Sequence, residues 1–225
     1  DLSAKAVGEE NVYVATDDKR IGNVVEEHGY NVIYTSEQCL TGTDRVAEAS
    51  LKIDADVIVN VQGDEALLDP NDIIKAVSCK IDNKDYVVTC MAKLTSSEKP
   101  EDLKTCKVVT NLNGDLMYVS RNAIPSSKTG IVKSAHKQIC IYAFTKEQLK
   151  DYYDIGKKNG KTPVEASEDI EIIRFLEMGI KVKMVEVEGG TLAVDFPEDV
   201  KEVEKIFRKQ QLYSKLDNKV KTGIR

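Results

Sequence analysis

At 225 residues, 41% hydrophobic and 31% charged, the chain can bury a sizeable core and is too apolar to stay disordered. No apolar run approaches the ~20 residues that a membrane span requires, and no basic-then-apolar leader opens the chain. A net charge of −6 counts against a nucleic-acid partner, and five cysteines without a C-x-x-C pair fit reduced thiols in a cytoplasmic protein.

In chain order, Val12–Ala15 predicts a short buried strand, followed by a helix over about Lys19–His28 that Gly29 stops. Asn31–Tyr34 reads as the next strand, and Asp44–Ile53 carries helical periodicity. Val57–Val61 predicts a continuous apolar strand, and Pro70–Ile81 a helix with Pro70 in its first turn. Strand–helix repeats of this size imply parallel strands joined by right-handed crossovers, hence an α/β sheet covered on both faces. Ligands of such sheets bind beyond the carboxyl ends of the strands. Thr16–Asp18, the loop Thr35–Asp44 and Gln62–Glu65 all fall there.

The middle of the chain reads differently. Tyr86–Ala92 and Cys106–Thr110 predict strands, and Asn113-Gly114 predicts a tight turn into Leu116–Ser120, a hairpin by its turn chemistry. His136–Phe144 is a further strand and Lys181–Val187 the last. Helices are expected over Lys146–Ile155, about Val164–Met178, and from Pro197 onward. The whole reads as one domain, 1–225, with a β-rich insertion. Residues 201–225 hold eight Lys/Arg against three Asp/Glu, and a basic helical extension over about 208–225 is read as a solvated helix, with a basic arm for an acidic partner as the alternative.

Asp64 ends the strand Val57–Val61 and could hold a hard cation, since magnesium takes one or two carboxylates plus substrate phosphates; bonding to turn amides is the plainer alternative. Asp195 precedes a helix opening at Pro197, with Phe196 standing where Ser, Thr, Asp or Asn would be expected as the cap. Thr41-Gly42-Thr43-Asp44-Arg45 could offer amides and hydroxyls to an anion or a base edge, or could be an ordinary cap at Thr43 or Asp44. The Arg45 fork suits a carboxylate or phosphate. Glu165, Glu168 and Glu171 recur every third residue; Thr162-x-x-Glu165 fits a capping box, while the acids as a set could face sugar hydroxyls. Neither a nucleophile motif nor a G-x-G-x-x-G or G-K-[ST] loop is present.

Together, Val-Ala-Thr-Asp (14–17), Thr-Gly-Thr-Asp-Arg-Val-Ala-Glu (41–48) and Val-Asn-Val-Gln-Gly-Asp-Glu (59–65) resemble the CMP-Kdo synthetases, or 3-deoxy-manno-octulosonate cytidylyltransferases. Lys107–Val109, Tyr118-x-Ser120-Arg121-x-x-Ile124-Pro125, Ile141-Tyr142 and Val194-Asp195-x-Pro197-Glu198-Asp199 follow in the family's order. The resemblance implies a Rossmann-like nucleotidyltransferase fold with a mostly parallel sheet and a β-rich dimerisation lobe. It also implies a homodimeric, cytoplasmic enzyme that converts CTP and an acid sugar to a CMP-sugar and pyrophosphate. By position it makes Asp64 and Asp195 the catalytic, magnesium-binding pair. Thr41, Gly42, Thr43, Arg45 and Gln62 would contact the nucleotide, and Arg45, Gln138, Tyr142, Glu165 and Glu168 the sugar.

Three departures accompany the resemblance. The family's opening strand and its Arg- and Lys-bearing phosphate loop have no counterpart from Asp1 onward, so an upstream segment is expected. Gln138 stands where many members have histidine, with His136 two residues earlier on the same strand face. Ile172 replaces a glutamine of the sugar pocket, and Phe196 a threonine. The expected sugar is therefore Kdo or a close 3-deoxy relative. A sialic-acid-type or sugar-alcohol cytidylyltransferase, or a non-catalytic relative acting as a binding subunit, are the alternatives.

Overall fold

The structure is a computed structural model and describes residues 1–129, 135–189, 193–194 and 196–209. A short helix α1 (Leu2–Val7) leads to β1 (Tyr13–Thr16), α2 (Lys19–Glu27) and β2 (Asn31–Tyr34). Then come α3 (Gly42–Ser50), β3 (Ile58–Val61), α4 (Pro70–Asp82) and β4 (Val87–Lys93). The hairpin β5 (Lys107–Thr110) and β6 (Leu116–Ser120) precedes the long strand β7 (His136–Phe144). Helices α5 (Lys146–Asn159), α6 (Pro163–Glu168) and α7 (Ile172–Glu177) lead to β8 (Val182–Glu186). A last helical stretch occupies 199–209. None of the described helices is long and apolar enough to cross a membrane.

The strands form two sheets. β1 and β2 pair in parallel as a two-stranded sheet, with Tyr13 opposite Asn31 and Thr16 opposite Tyr34. The second sheet has six strands, and β7 organises it. β4 lies antiparallel along one edge of β7, from Lys93 opposite His136 to Val88 opposite Ala143. The other edge is shared: β3 takes its carboxyl half, from Val61 opposite Ile141 to Ile58 opposite Phe144, and β5 meets its start at His136 and Lys137. β8 runs parallel to β4. This sheet is mixed rather than mostly parallel, because β7 returns against β3, β4 and β5 instead of following a helical crossover.

Alternation along β7 separates two cores. Tyr142 and Phe144 belong to the face covered by α3, α5 and α7, where Tyr142, Phe144, Phe175 and Tyr152 stack ring on ring at 4.7–6.2 Å. Ile139, Ile141 and Ala143 face the other way, with Ile73 and Ala76 of α4. The hairpin forms as its Asn-Gly turn predicts, with Gly114 at φ 77°, where a side chain would be strained. The helix expected over Val164–Met178 is instead two, α6 and α7. Asp169 interrupts them in the left-handed conformation at φ 53°, and Arg121 holds the carbonyls of Glu168 and Asp169 at 2.6 and 2.9 Å.

Lys80, 1% exposed, ties α4 to the start of β4 and to α5. Its ammonium donates to the carbonyls of Lys84 and Tyr86 at 2.7 and 2.5 Å and to Gln148 Oε1 at 2.8 Å. Burial pushes this ammonium down to about 8, against roughly 10.4 for a free lysine. Between those values the unfolded chain keeps a proton that the folded chain has released, so this group makes stability rise with pH. Urea unfolding compared at about pH 8 and about pH 10 should show that rise in the native protein and its loss in Lys80→Met. An identical slope in both would contradict the assignment.

Candidate active site

The first turn of α3 carries the Thr41–Arg45 loop, and its own residues explain where it starts. Thr41 is the cap, extended at φ −146°, and its hydroxyl oxygen accepts from Asp44 N at 3.1 Å. The same hydroxyl donates to Asp44 Oδ2 at 2.7 Å. The cap is therefore Thr41, not Thr43 or Asp44, and the helix begins two residues before the expected Asp44.

Asp44 then turns inward. It is 2% exposed and receives Arg174 Nη1 at 2.8 Å and Nη2 at 3.2 Å. Arg174, 0% exposed, also donates to Glu165 at 2.7 and 2.6 Å and to the Tyr152 carbonyl at 3.2 Å. Its guanidinium lies 3.8 Å from the centre of the Tyr152 ring. Burial works against the charge, but the bonds Arg174 donates to Glu165 and Asp44 outweigh it and raise its pKa above its ordinary range.

Glu171 closes the loop from beneath. Its carboxylate accepts Gly42 N at 3.0 Å, Thr43 N at 3.0 Å and the Thr43 hydroxyl. From β3, Asn60 Nδ2 reaches the Thr43 hydroxyl at 3.4 Å. The two amides expected to meet a ligand anion are thus already occupied by an internal one. Arg45 is engaged as well: it donates to Thr35 Oγ1 at 2.7 Å and Asp17 Oδ2 at 3.0 Å, stitching the ends of β1 and β2 together. Gly42 remains exposed.

At the end of β3, half-buried Gln62 leads into the turn that carries Asp64. Val194 N donates to the Asp64 carbonyl at 3.0 Å, and Glu65 bridges to Ala193. The strip just before Asp195 is therefore sewn onto the Asp64 turn, although Asp195 itself lies outside the described residues. Asp64 Oδ1 is buried without a hydrogen-bond partner. A buried carboxylate oxygen left this way is costly unless a cation takes it, so its chemistry fits a hard metal ion. Among the described residues no group of three or more His, Cys, Asp or Glu gathers as a metal centre.

β7 forms the wall between these two parts. Gln138 and Tyr142, 9% and 3% exposed, lie on one face with Gln138 Nε2 3.4 Å from the Tyr142 hydroxyl. Between them, burial pushes the Cys140 thiol up to about 12, with Glu65 and Asp64 adding to the effect. Burial, with Cys140 and Glu171 nearby, likewise holds the Tyr142 phenol above its usual range.

The two other acids assigned to sugar serve the scaffold instead. Glu165 is 1% exposed and faces Arg174. It also completes the expected capping box with Thr162. Glu168 accepts from Tyr118 and Ser120 hydroxyls at 3.2 and 2.7 Å and from Arg121 N at 2.9 Å, pinning the hairpin to α6. Ile172 is 1% exposed within the core. At Phe196, Asp199 Oδ2 accepts the backbone N–H at 2.8 Å, and the helix opens at 199 rather than at the expected Pro197. Sequence reasoning missed Arg174; a lone arginine inside Ile172-Ile173-Arg174-Phe175-Leu176 was the available signal.

A loop at a helix start and a carboxylate closing a strand suit the binding of a nucleotide and a cation. The fold agrees: a solved structure of CMP:2-keto-3-deoxy-manno-octonic acid synthetase complexed with CTP matches at TM-score 0.83 and 29% identity, covering 92% of this chain and 85% of that one. A family model described as cytidylyltransferase matches residues 3–188, and the chain belongs to that family. The 3-deoxy-manno-octulosonate cytidylyltransferase 2 of Hydrogenovibrio crunogenus is 37% identical over 89% of this chain and 82% of its own. The 3-deoxy-manno-octulosonate cytidylyltransferase of Myxococcus xanthus is 38% identical over 88% and 80%.

Gly156 of α5 lies against the Arg174–Asp44 pair, and a Cβ there would collide with Arg174 Nη1 and Asp44 Oδ1. Gly→Ala inside a helix ordinarily gains about 1 kcal/mol. Here the collision should reverse the sign, and Gly156→Ala is expected to lose about 1–2 kcal/mol by urea unfolding. A gain in stability would contradict the packing described.

Proposed function

We propose that this enzyme transfers the cytidylyl group of CTP to 3-deoxy-manno-octulosonate (Kdo), releasing pyrophosphate, with Mg2+ as cofactor. One observation carries the reading: the buried, unpartnered Asp64 Oδ1 at the end of β3, beside a backbone strip that leads directly to Asp195. Asp64 and Asp195 would hold the ion, which when bound neutralises phosphate charge. The exposed side of Thr41–Arg45, with Gln62, takes the nucleotide. Gln138 and Tyr142 on β7 face the sugar.

In the reaction, the sugar's anomeric hydroxyl attacks the α-phosphorus. A new P–O bond forms as the hydroxyl gives up its proton to solvent, the α–β bridging P–O bond breaks in line, and pyrophosphate leaves. Catalysis of this kind rests on positioning and charge neutralisation, which agrees with a site built from held loops rather than a covalent nucleophile. The relatives' names support Kdo as the sugar. Free cysteines fit work in the cytoplasm. The β5–β6 hairpin, with Leu112 and Met117 exposed, fits a self-association surface, and the partner proposed is a second copy.

The test is magnesium-dependent pyrophosphate release from CTP and Kdo by the natural full-length protein. Asp64→Asn should lower turnover by at least about 100-fold with a near-native unfolding midpoint. Turnover within about threefold of wild type would remove Asp64 from the mechanism, and no release by the wild-type protein would refute the proposed function.

A further inference from the structure

We infer that Lys104 and Phe196 form a clasp that positions the strip running past the Asp64 turn into Asp195. The inference rests on the cytidylyltransferase reading, which gives those two carboxylates to Mg2+.

Phe196 is the residue whose place the sequence leaves unexplained. It stands where a helix cap is expected, and its side chain is 47% exposed, so it supplies neither a cap nor a fully buried ring. Its backbone is nevertheless fixed. The N–H donates to Asp199 Oδ2 at 2.8 Å, and the carbonyl accepts Asp199 N at 3.0 Å. What the ring offers is a face: Lys104 Nζ lies 4.7 Å from its centre. That is within the roughly 6 Å over which an ammonium is attracted to an aromatic ring.

Lys104 is mounted for this contact. Lys107 holds the carbonyls of Asp102 and Thr105, Arg121 Nη1 holds that of Leu103 at 3.2 Å, and Lys104 N donates to Asp102 Oδ1 at 3.0 Å. With the backbone of this turn already ordered, the contact has only the lysine side chain left to order. The two chain neighbours of Asp195 are thus both tied. Val194 N donates to the Asp64 carbonyl at 3.0 Å, and Phe196 seats Lys104. The first tie alone would let the strip pivot about the Asp64 turn; the second removes that freedom. Magnesium demands near-ideal octahedral geometry, so a pivoting carboxylate would hold it less well.

The experiment is calorimetric titration of the full-length protein with Mg2+ and CTP, without Kdo so that no turnover intervenes. Wild type is compared with Lys104→Met, Lys104→Arg, Phe196→Leu and the Lys104→Met/Phe196→Leu pair, alongside their urea unfolding midpoints. Lys104→Met and Phe196→Leu should each weaken binding by about threefold, the size of an exposed cation–π contact, with near-native midpoints. The pair should lose no more than either single variant, because both changes break the same contact. Lys104→Arg keeps a cation that stacks on the ring and should bind as wild type does. Wild-type affinity in Phe196→Leu overturns the inference; with a loss in Lys104→Met alone, the ammonium would act on the CTP phosphates directly. Losses that multiply in the pair overturn it too, and so does failure of both single variants to fold. Absence of Mg2+-dependent CTP binding in wild type would instead strike the cytidylyltransferase reading beneath it.

Discussion

The guanidinium of Arg174 has no contact with solvent, and a cation in that position can exist only if the surrounding helices bring it acceptors. α3 brings Asp44, α6 brings Glu165, and α5 brings a carbonyl and the face of Tyr152. Each donor direction of the planar fork is fixed, so the four helices have one docking geometry rather than a range. The first turn of α3 is set by that docking. The loop expected to meet substrate therefore inherits its position from a charge cluster buried behind it, with Glu171, three residues before Arg174, adding the second point of attachment.

Elsewhere the chain fixes loops with cations caged by backbone oxygen. Lys107, 0% exposed, donates to the carbonyls of Asp102 and Thr105 at 2.7 and 2.6 Å and to that of Arg121. Arg121 in turn takes the carbonyls of Leu103, Glu168 and Asp169. The segment between β4 and β5 is thereby held against both the hairpin and α6. Its Lys104 ammonium sits 4.7 Å from the centre of the Phe196 ring, close to the strip paired with Asp64. A backbone carbonyl cage needs no second charge, so it can tie irregular segments together where an ion pair would have to bring a buried acid as well.

Much of this fold was legible in the sequence because the signals are local. Asn113-Gly114 gave the hairpin, Thr162-x-x-Glu165 its capping box, and Pro70 the start of α4. Asp64 was legible as a ligand candidate, and its unpartnered oxygen is in keeping with that. What could not be read was set by long-range partners. Glu165 and Glu168 look like free acids on a helix until Arg174, Ser120 and Arg121 arrive from elsewhere. The amides of Gly42 and Thr43 look available until Glu171 reaches them. The break between α6 and α7 depends on Arg121, 48 positions away from Asp169, and no periodicity within the helices announces it.

The central claim is that the Asp44–Arg174 contact couples the substrate loop to the helical layer. A double-mutant cycle with Asp44→Asn, Arg174→Met and the pair, read by urea unfolding, tests it most directly. The account predicts a coupling energy above about 2 kcal/mol, because Arg174→Met alone strands the buried Asp44 charge, which Asp44→Asn then removes, while Glu165 loses the same partner in both backgrounds. Additivity within about 0.5 kcal/mol would contradict it, since the two groups would then be neighbours without depending on each other.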